Sequence, residues 1–379
     1  MKVGIVTSEF HPIRAAAASR TGPWSDIMVQ RGHEVSILTS QDGKVSGENL
    51  RVVNSRFHTP SNRAGLARRF LQEIRLGCDL GRLLEGLSPK LDLAVITSPP
   101  FFMASLCARA SKRAGIPYVF DVRDRYPAVL FDLGVVSSEG FIGTILRRIE
   151  TKNYAGARLV TTVTSGLTQD LEKSVESKKV AKVINGFDGR HFTEENLSRP
   201  KRQCFTIAYH GRLGRFYEVD ALRRMILEVE RLDGEVRFVL AGDLGEARSS
   251  GDWGATEFLG ELPLSRLAEL LAECHLGVCL LKEMEAMRKA LPAKIFDFLG
   301  AGLPVLTSPK GELSAFLLER GVGLTFERTD PMAIASAIVA FKNDPERQER
   351  MATNARALRP SLDRRVQSVR FAEHLESLV

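Results

Sequence analysis

A chain in which short apolar runs alternate with amphipathic stretches has few folds open to it. Each apolar run needs cover on both faces, and the helices between the runs supply it. Here the alternation runs through the chain twice. Strand candidates in the first half are Val3–Thr7, Val35–Thr39, Leu91–Thr97, Pro117–Val122, Leu159–Thr164 and Val180–Ile184. Helical stretches at Ala15–Arg31, Gly65–Leu87, Phe101–Ala114 and Phe141–Tyr154 separate them. The polar, proline-bearing run Asn196–Arg202 breaks the pattern and reads as a linker. The alternation then restarts with Phe205–His210, Val236–Ala241, Glu257–Leu259, Leu276–Leu281, Pro304–Thr307 and Gly323–Phe326. The expected fold is α/β, with two Rossmann-like doubly wound domains. These span residues 1–195 and 205–361, joined by a linker at 196–204. A C-terminal helix, 362–379, is expected to pack back on the N-terminal domain. Ligands are expected in a cleft between the domains, at the carboxyl ends of the strands.

Composition narrows the compartment and the partners. No apolar run approaches the roughly 18–20 residues that span a bilayer. Met1–Val6 reads as a strand rather than a leader. The five cysteines are scattered without metal-ligand spacing and read as free thiols. A cytoplasmic protein is expected. The net charge of +7 suits phosphates or an anionic membrane surface. With no zinc finger, RNP-type motif or basic arm, nucleic acid is not an expected partner. In Arg63–Arg75, Leu66, Phe70 and Ile74 share a stripe with Leu71, flanked by Arg68, Arg69 and Arg75. That layout fits an interfacial helix on the inner face of the membrane, or a helix packing the stripe on the sheet.

Candidate site residues gather at strand exits. Ala15, Ala16 and Ala17 open a helix behind the first strand, where backbone N–H groups can meet a phosphate or sugar. His11, Ser98 and Pro99 lie at two exits of the same half and are acceptor-side candidates, His11 reading first as a turn residue. Asp121, Arg123 and Asp124 emerge together from an apolar strand. They either orient an acceptor hydroxyl or satisfy one another as ion pairs. In the second half, Arg212 and Arg215 lie among glycines before a helix and form a diphosphate cradle. Gly242 and the run Phe258–Leu259–Gly260 let a base or ribose approach the backbone. Pro292 is expected at the first position of a helix whose N-terminus, with Lys294 in its first turn, meets an anion. Asp297, one turn on, can accept ribose hydroxyls. There is no Asp-x-Asp, so no metal and no cofactor is expected.

These pieces, in this order, resemble the GT-B glycosyltransferases of retaining family 4. They look closest to the bacterial exopolysaccharide, capsule and O-antigen type. Arg31–Val35 is similar to that family's "rGHeV", Thr97–Pro100 to "sPP", and Asp121–Pro127 to "D-x-R-D-x-W-P". Asn185–Asp188 is similar to "NGxD", Ala241–Asp243 to "aGdG", and Leu291–Val305 to "lPsKxxEyxaaGxPV". The resemblance implies a nucleotide diphosphate sugar as donor, UDP over GDP. It implies a saccharide or polyprenyl-diphosphate-linked saccharide as acceptor, and transfer with retention. It implies that Arg212, Lys294 and a helix N-terminus hold the diphosphate, and that Phe258–Gly260 contact the base. Asp297 stands where a Glu holds the ribose, and Arg123 where related enzymes often have His. The chain departs from the pattern at Lys289, which replaces a second Glu, and at Arg215–Glu218, which lacks the usual Lys. Glu283 and Glu285 are the nearest stand-ins. The rival readings are a nucleotide-sugar 2-epimerase of the same fold and a non-catalytic GT-B-like protein.

Overall fold

The computed structural model describes residues 1–379 except 14, 42, 45, 46, 61–64, 89, 177, 178, 215 and 250, and the side chain of Glu246. The chain divides into two compact units: Met1–Ile184 with Gln367–Val379, and Asn185–Val366.

The first unit carries a seven-stranded parallel sheet. Its strands are β1 (Lys2–Val6), β2 (Glu34–Thr39), β3 (Leu50–Asn54), β4 (Leu93–Ser98), β5 (Tyr118–Val122), β6 (Leu159–Thr162) and β7 (Val180–Lys182). They lie in the order β3-β2-β1-β4-β5-β6-β7. Period-two alternation sorts their side chains between two cores. Ala94 and Ile96 face Leu76, Leu80, Leu84 and Met103 on one side. Leu93 and Val95 face Trp24, Ile27 and Met28 on the other. Phe371 and Leu375 join the second of these cores, and the Phe371 ring stacks on Trp24 at 3.8 Å. Arg31 and His33 both engage Glu376, at 2.7 and 2.8 Å.

The second unit carries β8 (Thr206–His210), β9 (Arg237–Ala241), β10 (Glu257–Gly260), β11 (Leu276–Leu280), β12 (Val305–Ser308) and β13 (Gly323–Thr325). All are parallel, in the order β10-β9-β8-β11-β12-β13. In each sheet the chain winds outward one way and then returns beside its first strand. The reversal leaves a crevice at the carboxyl ends of β1 and β4, and another at those of β8 and β11.

Three expectations need correction. Strand β3 is not among the sequence candidates. The run Asn196–Arg202, read as a linker, lies inside the second unit. Its cations hold the end of the helix Leu264–Glu273: Lys201 Nζ donates to the carbonyls of Ala272 and Cys274 at 2.8 and 2.6 Å, and Arg199 pairs with Glu273 at 2.9 Å. Pro292 is not the first helical residue. The helix runs Lys294–Gly300 with Ala293 as its N-cap, so Lys294 takes that place.

Candidate active site

At the β8–β11 crevice a cation, a carboxylate and a glycine backbone meet. Lys294 is only 7% exposed. Its ammonium donates to the Tyr209 hydroxyl at 2.6 Å and lies 3.8 and 4.0 Å from the ring centroids of Tyr209 and Tyr217. A Cβ added to Gly211 would stand 3.7 Å from Nζ, so the bend after β8 runs directly past the ammonium. Burial pushes the Lys294 pKa down to about 7, against the pull of Cys279 and Asp297. Asp297, one turn along, is pushed up to about 7, again mainly by burial, with Arg364 opposing. His210 Nε2 sits 3.6 Å from the Asp297 carboxylate and 3.3 Å from the Lys294 carbonyl. Burial, then Lys294, depresses the imidazole to about 3, so it is neutral at ordinary pH.

The exits of β8, β9 and β10 are bound to one another. Gly211 N–H donates to Ala241 O at 2.8 Å, and Gly242 N–H donates to Gly260 O at 2.6 Å. Gly242 has a φ of 124°, and a Cβ there would stand 2.5 Å from the Gly211 carbonyl oxygen. Only glycine fits such a position. Arg212 is exposed, with Nε 3.5 Å from Asp243. The Phe258 ring packs edge-on against Trp253 and joins the core. The Phe258 ring is thus engaged with the core, while Leu259 and Gly260 beside it are half-buried. Lys289 pairs with Glu285 at 3.1 Å and Arg288 with Glu283 at 3.4 Å, which engages both acidic stand-ins. Arg215 lies outside the described residues.

In the first unit the three charges from β5 part company. Asp121 is fully buried. It accepts from Arg20 Nε at 3.0 Å, from the Arg20 terminal nitrogen at 2.8 Å and from Thr161 at 2.7 Å. Both its oxygens accept, and the residue ties β5 and β6 to the helix Ala16–Gln30, as a structural ion pair does. Arg123 donates from its backbone to Ser98 O at 3.0 Å and from its side chain to Pro99 O at 2.7 Å, which binds the β4 and β5 exits. Its Nε is buried without a protein partner. Glu9 stands close enough for the Arg123 charge to offset part of the burial that raises its pKa. Asp124 is exposed beside them. The ring of His11 packs over Gly22, where a Cβ would overlap it, as a turn residue would. Ala15 caps the helix Ala16–Gln30 in extended conformation. No side chain caps that helix, Ala16 is exposed, and Ala17 is buried in its first turn.

Comparison with known proteins fits this geometry. Residues 17–186 match a glycosyl transferase 4-like domain, and residues 215–369 match a glycosyl transferase-like domain. The chain carries two glycosyltransferase domains. Among solved structures it is similar to sucrose-phosphate synthase from Thermosynechococcus elongatus, at 13% identity and a TM-score of 0.75, over 100% of this chain and 98% of that one. It is similar to Anabaena HepE in complex with UDP and glucose, at 17% identity and a TM-score of 0.72, over the whole of both chains. It is also similar to WaaG, a glycosyltransferase involved in lipopolysaccharide biosynthesis, at 14% identity and a TM-score of 0.70, over 98% and 99% of the two chains. At these identities the likeness is one of fold, and the fold is GT-B. No curated protein matches the chain in sequence.

Sequence reasoning missed several residues of these two glycosyltransferase domains. Tyr209 and Tyr217 face Lys294, His210 adjoins Asp297, Asp243 pairs with Arg212, and Arg20 pairs with Asp121. Tyr209 and His210 had a local signal, since they are the last two residues of an apolar strand running into Gly211-Arg212. Tyr217 had none, because it arrives through a bridge to Leu281. Among the described residues, no three His, Cys, Asp or Glu side chains are grouped to hold a metal ion.

Proposed function

We propose that this protein transfers a sugar from a nucleoside diphosphate sugar, UDP over GDP, to a saccharide or lipid-linked saccharide acceptor in cell-surface polysaccharide assembly. Transfer proceeds with retention and without a bound metal. One observation carries the reading. Lys294 is held beside the Gly211 backbone, one helical turn from Asp297, at the crevice where sheets of this type bind ligands. A diphosphate entering there meets a preorganised cation in a low-dielectric site, where charge on the leaving group is stabilised most. Asp297 is within one turn to take ribose hydroxyls, and the Gly260 exit of β10, open on its Cβ side, leaves room for a base. The UDP and glucose bound by HepE support this class of donor. The missing Asp-x-Asp supports metal independence. Arg123, Asp124 and Glu9 at the β5 and β1 exits are the residues offered to an acceptor hydroxyl.

The deciding experiment is calorimetric titration with UDP, GDP and a panel of their sugars, followed by transfer assays with the donors that bind. Binding of uridine nucleotides, lost in Lys294→Ala, is the expected result. Conversion of a UDP-N-acetylhexosamine to its 2-epimer with no acceptor present would replace transfer by epimerisation. Failure of every nucleotide to bind would leave a non-catalytic protein.

A further inference from the structure

Ten large hydrophobic side chains stand exposed among the described residues, and six of them lie on two helices of the first unit. The helix Phe141–Ala155 presents Phe141, Ile142 and Ile145 at 81%, 62% and 38% exposure. The helix Leu66–Gly86 presents Leu66, Leu71 and Ile74. The two helices meet on one small cluster, in which Phe70 of the second packs with Leu146 and Ile149 of the first around Phe101 and Leu130. The exposed side chains therefore flank a shared base and do not lie scattered over the surface.

Along the two helices themselves the charges are sorted by sign, with the exposed Glu139 lying just before Phe141 and outside them. Within Leu66–Arg75 the one carboxylate, Glu73, is buried and paired with Arg69 at 3.2 Å. Within Phe141–Ala155 the one carboxylate, Glu150, is buried and paired with Arg125 at 3.3 Å. Arg68, Arg75, Arg147, Arg148 and Lys152 are all exposed. Both acids thus turn inward while the cations surround the apolar residues on the outside. A protein partner of ordinary surface composition has no need of that sorting, whereas a bilayer with anionic headgroups over an apolar interior matches both parts of it. Among the described residues no helix is long and apolar enough to cross a membrane, so contact here is lateral.

We infer that this face docks on an anionic lipid surface, with Phe141, Ile142 and Ile145 entering the headgroup boundary and the arginines and Lys152 meeting lipid phosphates. The sequence stripe of Leu66, Phe70 and Ile74 is the lesser part of the face, because Phe70 is consumed by the cluster beneath. Phe141, Ile142 and Ile145 were not legible as exposed, since their spacing also fits a helix packed on the sheet.

The test is co-sedimentation of the full chain with vesicles of phosphatidylglycerol in phosphatidylcholine, against phosphatidylcholine alone. Binding to the anionic vesicles is expected to be at least about tenfold tighter and to weaken as salt rises. Phe141→Ser with Ile142→Ser, and separately Arg147→Glu with Arg148→Glu, are each expected to lower it about tenfold or more. The pair Leu318→Ser and Met332→Ser, exposed on the second unit, is expected to leave it unchanged. Thermal midpoints check that each variant folds, and the charge reversal, wholly on the surface, keeps the test valid if the apolar variant does not. Equal binding to both vesicle types, or binding indifferent to both variants, overturns the inference. So does a lipid-free dimer, seen by sedimentation velocity, that the Phe141 and Ile142 changes dissolve, because a second copy of the chain would then cover the face.

Discussion

Lys294 is under two opposed demands. The fold buries its ammonium beside two tyrosine rings, which disfavours the charge, while a diphosphate needs the charge present. The unfolded chain binds this proton up to about pH 10.5, but the folded one releases it near 7. Between those values the unfolded state holds more protons, so this group makes stability rise with pH. Asp297 works the other way. It keeps its proton to about 7 when folded but loses it near 3.8 when unfolded, so from about pH 4 to 7 it makes stability fall. Together the pair predicts a minimum near pH 7 in the nucleotide-free protein. The minimum should be visible as the difference between wild-type unfolding curves and those of Lys294→Met and Asp297→Asn. Lys294→Met is expected to raise the thermal midpoint at pH 7 while lowering kcat/KM by about 2–4 kcal/mol of transition-state stabilisation. A destabilised Lys294→Met with near-normal turnover would remove the assignment. Arg212→Ala should lower turnover in the same direction. The place of Lys294 was legible because Pro292, two residues before it, marks the approach to the helix that Lys294 opens. Its tyrosine surroundings were not, because Tyr217 reaches it only through tertiary structure.

At the scale of elements, the first unit depends on one buried ion pair. Arg20 and Asp121 have side chains 4% and 0% exposed, so removing either leaves an uncompensated charge in the core. Asp121→Ala is expected to cost about 3–5 kcal/mol in urea unfolding, and Arg20→Met with Asp121→Leu should recover most of it. A loss under about 1 kcal/mol would count against the structural reading of Asp121. In the second unit, Gly242→Ala adds strain at a positive φ and presses on the Gly211 backbone, so nucleotide affinity should fall together with stability. Most strands were legible because parallel strands covered on both faces read as unbroken apolar runs. The edge strand β3 was not. Its sequence, Leu50-Arg51-Val52-Val53-Asn54, is only half-buried and mixes charge with apolar residues. Proline and cations made Asn196–Arg202 read as a linker, and nothing local in it shows that those cations seek the end of a distant helix.

On the scale of the whole molecule, two sheets of nearly the same winding carry different chemistry at their crevices. The β8–β11 crevice joins a buried ammonium to a carboxylate. At the β1–β4 crevice, Arg123 and Glu9 stand beside the uncapped helix Ala16–Gln30, and the buried Arg20–Asp121 pair is already satisfied. That asymmetry was only partly legible, because both halves offer charged strand exits and only burial separates the structural pair from the open one. It predicts where a nucleotide stabilises the protein. A ligand held at 100 times its dissociation constant adds about 2.7 kcal/mol to whatever unit binds it. UDP should therefore protect backbone amides around Tyr209–Arg212 and Leu291–Asp297 from hydrogen exchange, and leave the exits of β1 and β4 unchanged. The same protection should persist in EDTA, since the charges that meet the diphosphate are assigned to side chains and backbone. Protection confined to the first unit would place the donor on the wrong domain, and protection that vanished with the chelator would require a metal clamp instead.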